Sequence, residues 1–257
     1  MIFKHILAFL FFLCYSSLSV SQNCGIENAK VLDGETLVYK IYYNWNFIWI
    51  GAGEVVFKVT EEPNTYKFSA IGTTYSSYDW FFKVRDRYET VVNKIDLMPI
   101  SSVRDIQEGK FTLYDSLLFN RGAHTVTSFR GKSKENLQDS LFEVDHCIQD
   151  ILSIIYYARN LNYEEKDDFS IIPASIFIDR SSWPVELSVG AYREKHKIKG
   201  LGVFSTLELR PNVKEGFYFR PNTDMKIWVT QDEQNIPLLI ETPISVGSLK
   251  VILKETR

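Results

Sequence analysis

Motifs that carry common enzyme or metal chemistry are missing from this sequence. There is no Gly-x-Ser-x-Gly nucleophile elbow and no glycine-rich phosphate loop. No CxxC or HxxxH spacing occurs, and His124, His146 and His196 lie far apart in the chain. A zinc site usually shows such spacing, so surface or capping roles are predicted for these histidines. The sequence therefore predicts no catalytic residue, no metal site and no cofactor.

Long apolar runs are also lacking. A transmembrane helix needs ~20 apolar residues, and the longest candidate, Ile6–Tyr15, is shorter. This run follows the basic Lys4, and small residues at positions −3 and −1 predict cleavage between Ser21 and Gln22. Residues 1–21 are therefore predicted to be a signal peptide. The mature protein should be periplasmic or secreted, with no transmembrane segment, and a retained N-terminal anchor helix is the alternative.

Positive charge is not in excess. The chain has 29 Lys and Arg against 32 Asp and Glu, a formal net charge of −3. Removal of residues 1–21 takes away one lysine and no acid, so the mature balance is 28 against 32, or −4. We also find no basic run. Nucleic acids and anionic membrane surfaces attract concentrated positive charge, so neither is expected as the main partner.

Cysteine is rare, and two residues remain after cleavage, Cys24 and Cys147. Outside the cytoplasm an even number of cysteines favours a disulfide. Such a bridge would close a long loop and could stabilise the fold by ~4 kcal/mol in the chain-entropy model. Two unpaired thiols are the alternative, because a sequence does not give the separation of the two residues.

Aromatic residues are plentiful at 14% of the chain, and they favour strands over helices. Apolar residues occupy alternate positions from Leu37 to Tyr43, which is typical of a half-buried strand, and similar alternation recurs along the chain. Short connections such as Glu108-Gly109 predict antiparallel neighbours. We therefore predict a mainly β domain of about a dozen strands over residues 22–257.

One segment departs from this alternation. From Asp145 onward, apolar residues recur at positions 148, 151, 152, 155 and 156. This spacing predicts one central amphipathic helix over about residues 145–162, with Asp145 at its N-terminus. Strands around a single helix predict a large antiparallel curved sheet or an open barrel. A division into two lobes near the helix stays open.

Three consecutive aromatic residues form the first candidate ligand-binding set. Trp80, Phe81 and Phe82 cannot all face one side of a strand, so a short helical turn or tight corner is predicted at Ser76–Phe82. Together with Arg85 they could form an aromatic wall with a cationic anchor for the anionic head of an amphiphile. The alternative is a sheet corner with a structural Asp–Arg pair, since aromatic residues usually fill cores.

Tyr156 and Arg159, on the predicted helix, form the second candidate set. One face of the helix should be core. Arg159 could pair with a carboxylate from a strand, or it could point into a cavity and contact a ligand. The structural interpretation is favoured here too.

Several segments follow one another in a recognisable order. They are 34–39 with 51–54, Lys83–Thr90 with Leu97–Pro99, the helix segment Asp150–Arg159, and Ile227–Lys250. In this order they resemble the DUF3108 family of exported bacterial proteins over nearly all of the mature chain. The family carries no assigned activity, so the resemblance implies a periplasmic context and little about function. Its β-rich pattern is similar to the open barrels of the lipoprotein carriers LolA and LolB, a likeness of fold that does not fix function.

We expect a non-enzymatic periplasmic protein that binds or carries an apolar or amphiphilic ligand such as a lipid. The alternative is a cell-envelope assembly or scaffold protein that acts through contacts with another envelope protein. A third hypothesis is a hydrolase built from carboxylates, such as Asp86, Asp105 and Asp115, that are paired in space. Clustered carboxyl groups with raised pKa values in a cleft would support that third hypothesis.

Overall fold

The structure is a computed structural model that describes Cys24, Ile26 and residues 30–45, 48–163, 170–213, 224–244 and 247–257. The predicted signal peptide and its cleavage site lie outside these described residues.

Fifteen strands in the described residues form a single sheet. Buried and partly exposed side chains alternate along the strands, as predicted. In β3, Tyr66, Phe68 and Ala70 are buried, while the residues between them are partly exposed. The strands are β1 (Thr36–Trp45), β2 (Ile48–Glu61), β3 (Thr65–Thr74), β4 (Arg85–Asn93), β5 (Pro99–Glu108), β6 (Phe111–Asn120), β7 (Thr125–Gly131), β8 (Gln138–Glu143), β9 (Ile148–Gln149), β10 (Ile171–Ile178), β11 (Ser181–Ile198), β12 (Gly202–Val213), β13 (Lys226–Thr230), β14 (Pro237–Pro243) and β15 (Ser248–Thr256).

The sheet consists of two antiparallel meanders. Strands β1 to β8 form one, strands β10 to β15 form the other, and antiparallel pairing of β1 with β15 joins them. The two-residue β9 adds to β10 in parallel. For the residues that the structure describes, the prediction of a mainly β protein with a large antiparallel sheet and one α-helix is confirmed. The sheet is open, because β8 and β9 at its two ends do not pair with each other.

Side chains bring the two ends of the sheet together. One buried cluster draws residues from both ends: Leu117, Val126, Ile148 and Phe177. Beyond β10, the Asp179 carboxylate accepts hydrogen bonds from Arg104 at 2.8 Å and from Arg130 at 3.2 Å. Arg104 lies on β5 and Arg130 on β7. The fold is therefore barrel-like through packing and ion pairs, although no backbone ladder closes it.

The helix is shorter than predicted. Helix α1 spans Ser153–Asn160. The expected start at Asp145 is wrong, because Ile148–Gln149 are extended and pair with β10. Leu152 occupies the N-cap position, and the Oδ1 of Asp150, two residues earlier, accepts a hydrogen bond from the Ser153 backbone nitrogen at 2.7 Å. Ile148 is buried in the strand, so it matched the apolar spacing of a helix without belonging to one.

Helix α1 packs against the first meander. The Tyr156 ring stacks on Phe68 of β3, with ring centroids 3.8 Å apart, inside a buried apolar cluster. A disulfide joins Cys24 to Cys147, the residue just before β9. The bridge fixes the N-terminal lead beside β9, and Val31 of this lead is buried in the same cluster as Tyr156.

Candidate functional site

An apolar cavity of about 240 Å³ lies between α1 and the sheet. We call it the inner cavity, and its apolar border includes Phe57, Ile155, Ala158, Leu209, Ile227 and Val251. Voids larger than a water molecule are few in protein interiors. Apolar cavities of about 150 Å³ stay dry and take up a guest the size of benzene. The inner cavity could therefore hold a small apolar group, although it falls below the ~300 Å³ at which sites for drug-sized ligands begin.

Arg159, a predicted ligand-binding residue, borders the inner cavity but is already paired. Its two terminal nitrogens donate to the Glu35 carboxylate at 2.6 and 2.7 Å. Glu35 directly precedes β1, and its side chain is 10% exposed, against 2% for that of Arg159. The arginine therefore pairs with a carboxylate beside the first strand, the structural interpretation, while still forming part of the cavity wall.

Two buried tyrosines also border the inner cavity, Tyr39 and the predicted site residue Tyr156. Burial raises the pKa of both phenols well above the ordinary value. The Tyr39 hydroxyl donates to the Pro237 carbonyl oxygen at 2.9 Å. The tyrosines are thus neutral, and with the Glu35–Arg159 pair internally matched the cavity suits an uncharged apolar guest.

The aromatic set lies at a surface corner. A 3₁₀ turn at Ser76–Tyr78 confirms the predicted helical turn. Trp80, Phe81 and Phe82 follow it and are 83%, 67% and 47% exposed. They border neither the inner cavity nor the groove described below. The two predicted sets therefore do not combine into one site in the described part of the chain.

Arg85 fixes this corner through an ion pair. Its terminal nitrogens donate to the Asp79 carboxylate at 2.5 and 3.1 Å, and one of them also donates to Thr74. These hydrogen bonds hold the pKa of Asp79 below its usual range. The structure thus contains a structural Asp–Arg pair at the corner, with the three aromatic rings presented outward.

A wider groove of about 790 Å³ lies against strands β12 to β15. We call it the outer groove, and its cationic lining consists of Arg193, Lys197, Lys199, Arg210, Lys226 and Lys250. Two carboxylates, Glu208 and Glu241, also line it. Lys226 is also paired with Asp224 at 2.9 Å, so the groove carries an excess of three positive charges in a chain whose formal net charge is −3.

The inner cavity and the outer groove lie on opposite faces of the same strands. Successive side chains of a strand point to opposite faces. Along β13, Ile227 and Val229 border the inner cavity, whereas Lys226 and Trp228 border the outer groove. One wall of the groove is the end of the β11–β12 hairpin, where Ile198 packs into the apolar cluster that contains Trp228.

A buried carboxylate holds two arginines at the outer groove. The Glu208 side chain is 3% exposed and accepts a hydrogen bond from Arg210 Nε at 2.7 Å. A terminal nitrogen of Arg193 lies 3.9 Å from the same carboxylate. Both arginine side chains are 51% exposed, so the guanidinium groups are anchored from below and accessible from the groove.

Trp228 forms part of the groove floor and is only 4% exposed. Its buried indole Nε1–H has no hydrogen-bond acceptor among the described residues. The His196 ring packs edge-on against it, with centroids 5.3 Å apart. Burial lowers the pKa of His196, so this imidazole is neutral at neutral pH and the positive charge comes from the lysines and arginines.

The outer groove is the feature that sequence reasoning missed. The sequence has no basic run, yet every second residue from Arg193 to Lys199 is basic, at the end of β11 and in the turn after it. Three of these four residues, Arg193, Lys197 and Lys199, border the groove. Basic residues at every second position of a strand lie on one face of the sheet, and this pattern was the signal that the sequence offered. The remaining cations of the groove come from three other strands, and a net charge summed over the chain cancels them against distant acids.

The carboxylates proposed for a hydrolase are in different environments. Burial raises the pKa of Asp86 to about 7, aided by the charges of Glu108 and Asp105. Asp115 is instead ion-paired with Arg104 at 2.9 Å. Asp86, Asp105 and Asp115 border neither the inner cavity nor the outer groove.

Histidines do not assemble a metal site in the described ranges. His124 and His146 stack with ring centroids 4.7 Å apart, while His196 lies in the outer groove. No group of three or more His, Cys, Asp or Glu residues in the described part of the chain could hold a metal ion. Among the same residues, no helix has both the length and the apolar character needed to cross a bilayer.

The open sheet and the helix that packs on it, as described above, define a class of β-barrel-like proteins, and the family follows from the sequence. The model of the DUF3108 family, described as a protein of unknown function, matches residues 38–254. The chain therefore belongs to the DUF3108 family, and the resemblance drawn from its segments is confirmed. No curated protein is a match to this sequence.

One solved structure shows the same fold. The crystal structure of a β-barrel-like protein of the domain of unknown function DUF1849 from Brucella abortus is 10% identical, with a TM-score of 0.63. The match covers 89% of this chain and 99% of that one.

Two further structures match at 9% identity. One is from Bacteroides fragilis and is described as a candidate exported protein with a YmcC-like fold, with a TM-score of 0.32 and coverage of 91% and 100%. The other is from Parabacteroides distasonis and is described as a candidate lipoprotein, with a TM-score of 0.34 and coverage of 91% and 99%. The Cys24–Cys147 disulfide of the present chain is consistent with a location outside the cytoplasm.

Proposed function

We propose that this protein acts outside the cytoplasm as a non-enzymatic binding protein, and that it takes up an apolar or amphiphilic ligand in the inner cavity. The single observation that supports this most is the apolar void of about 240 Å³ beneath α1. A void of this kind loses packing contacts in the empty state, and an apolar guest restores them. The volume suits one short hydrocarbon chain or ring rather than a whole lipid.

The surroundings of the cavity favour binding over catalysis. Arg159 is paired with Glu35, and burial keeps Tyr39 and Tyr156 neutral, so no charged group there is left to bind an anionic head. We therefore expect the head of an amphiphile to stay outside the cavity. The disulfide and the predicted leader support export, with cleavage between Ser21 and Gln22. N-terminal sequencing of the mature protein tests that cleavage site.

Native mass spectrometry of the protein purified from the periplasm tests the proposal directly, because a copurified apolar species adds a defined mass. Titration with naphthalene, followed by its fluorescence, then measures uptake at one site. Ala158→Leu should reduce uptake at least about tenfold, because Ala158 borders the cavity and the added methyl groups fill it. Ala123→Leu is the matched control, since Ala123 is exposed in the β6–β7 turn. Absence of any copurified species together with no naphthalene uptake, or uptake unchanged in Ala158→Leu, would contradict the proposal.

A second candidate function, assembly of envelope proteins through direct contacts, is supported by the exposed corner. Trp80 and Phe81 are largely exposed, and exposed aromatic clusters mark contact surfaces. Cross-linking in envelope extracts should then recover a stoichiometric partner with the wild type and lose it with Trp80→Ala/Phe81→Ala. Recovery of the same proteins with both would count against this candidate.

A further inference from the structure

The outer groove concentrates positive charge that its own carboxylates do not neutralise. Six cationic side chains and two carboxylates line it. Of the cations, Lys197 at the end of β11 and Lys199 in the turn after it are exposed. Like charges held close together repel one another, and an anionic ligand relieves that repulsion.

We propose that the outer groove is a binding site for a small molecule that carries two or more phosphate or carboxylate groups. The site lies on the opposite face of β12 to β15 from the inner cavity and does not depend on that cavity. Its volume of about 790 Å³ falls in the range of ~300–1,000 Å³ that is typical of small-molecule sites. Phosphate groups of a free molecule and of a lipid headgroup share this chemistry, and the experiment below separates the two sources.

The arginines are arranged for such a ligand. Glu208 is buried and accepts its hydrogen bond from Nε of Arg210, which leaves the terminal nitrogens of that arginine outside the bond. Guanidinium groups bind phosphate and carboxylate in a forked geometry. Because Glu208 already orients Arg210 and lies near Arg193, less side-chain freedom is lost when an anion binds.

Trp228 gives an independent indication of a ligand. Its buried indole N–H lacks an acceptor among the described residues, although the ring borders the groove. Buried donors in native proteins nearly always have a partner. An oxygen of a bound anion would supply the missing acceptor.

The far end of the groove offers an aromatic surface together with charge. The Lys250 ammonium lies 4.6 Å from the centroid of the Trp49 ring and also pairs with Glu241 at 2.6 Å. Trp49 is itself 40% exposed. A ligand could therefore place one anionic group near Arg210 and a second near Lys250, with its body against Trp49.

Calorimetric titration of the intact protein with inorganic tripolyphosphate tests the proposal. We expect one site per chain, with affinity that falls as salt is added. Lys197→Gln/Lys199→Gln should weaken binding at least about tenfold, since two charge-assisted contacts are removed. Lys110→Gln/Lys132→Gln removes the same charge from exposed turns between β5 and β6 and after β7 and should change the affinity less than about twofold.

A second variant tests the indole donor. Trp228→Phe keeps an aromatic ring in the floor but removes the N–H, and we expect binding about three- to tenfold weaker. Circular dichroism and thermal melting establish that each variant is folded. Ala158→Leu should leave tripolyphosphate binding unchanged, so failure of the inner-cavity proposal and failure of this one are distinguishable.

Vesicles of phosphatidylcholine with and without phosphatidylglycerol separate the two sources of the anion. Binding of tripolyphosphate with the expected variant pattern supports a free ligand. Binding only to the anionic vesicles, lost in Lys197→Gln/Lys199→Gln and kept in the control, supports a lipid headgroup in the same groove. Binding to neither probe, or an equal loss in the groove variant and in its control, would overturn the proposal.

Discussion

The inner cavity and the outer groove share strands β12 to β15, but charged side chains are paired at the cavity and unbalanced at the groove. At the inner cavity the cation is Arg159, which is buried, and the largely buried Glu35 carboxylate accepts two hydrogen bonds from it. Outside, six cations stand against two carboxylates, and several of them are half exposed. A buried charge is tolerated only when it is paired, whereas water stabilises an excess of charge at a surface. We therefore expect the loss of one partner of the inner pair to destabilise the fold, and changes to the outer excess of charge to affect stability little.

The largest effect should come from breaking the inner ion pair. Glu35→Ala leaves the Arg159 guanidinium buried without its partner, and such a loss costs ~3–5 kcal/mol in the free energy of unfolding. Chemical denaturation measures it, and tripolyphosphate binding by the folded fraction should not change. Glu89→Ala removes a carboxylate from an exposed pair with Arg87 and should cost only ~0–1 kcal/mol. If Glu35→Ala lowers the free energy of unfolding by less than ~1 kcal/mol, the expected difference between the two faces is contradicted.

A change at Asp86 should have an effect on stability of intermediate size. Asp86 is a largely buried carboxylate, and burial raises its pKa to about 7. In the unfolded chain the same group titrates near 4. Between pH ~4 and ~7 the folded protein keeps a proton that the unfolded chain has lost, so stability contributed by this group falls as the pH rises.

Asp86→Asn should remove that pH dependence. The asparagine oxygen can still accept the Gln107 backbone hydrogen bond. Between pH 4 and pH 8 the free energy of unfolding of the variant should rise by about 3–4 kcal/mol relative to that of the wild type. Thermal melting across this pH range measures the difference. Asp139→Asn, at an exposed position on β8, should keep the wild-type slope. An unchanged slope in Asp86→Asn would show that burial does not perturb this carboxyl group.

The smallest effect on stability should come from the outer groove. Lys197→Gln/Lys199→Gln alters two exposed side chains, and we expect the free energy of unfolding to change by less than ~0.5 kcal/mol. A slight gain is consistent with reduced repulsion between like charges. The same denaturation experiment measures it. A loss above ~1 kcal/mol would mean that these lysines support the hairpin, and the separation of folding from binding would fail.

The fold could be predicted from the sequence because alternation is a local property. Tyr66, Phe68 and Ala70 reveal a strand without knowledge of their neighbours in space. The start of the helix could not be predicted in this way. Ile148 lies in a two-residue strand, which is too short to show a period, and its pairing partner in β10 is far along the chain.

The sites were harder to predict because they depend on which strands become neighbours. Tyr156 and Arg159 border a cavity, but the partner of Arg159 is Glu35, which no spacing connects to it. Lys226, Glu241 and Lys250 become adjacent only through the register of β13 to β15. The sequence does show basic residues at alternate positions near the end of β11. This pattern predicts one wall of the groove but not its floor, which other strands supply.

The pairing of β1 with β15 affects how the polypeptide reaches its native state. One edge of the first strand remains without a hydrogen-bonding partner until residues 248–256 have emerged, and the Cys24 sulfur likewise waits for Cys147, which lies 123 positions later. Contacts between such distant segments slow folding and leave an edge open to wrong partners in the meantime. We therefore expect a newly made chain to need protection from aggregation until its last strand, β15, is available to pair with β1.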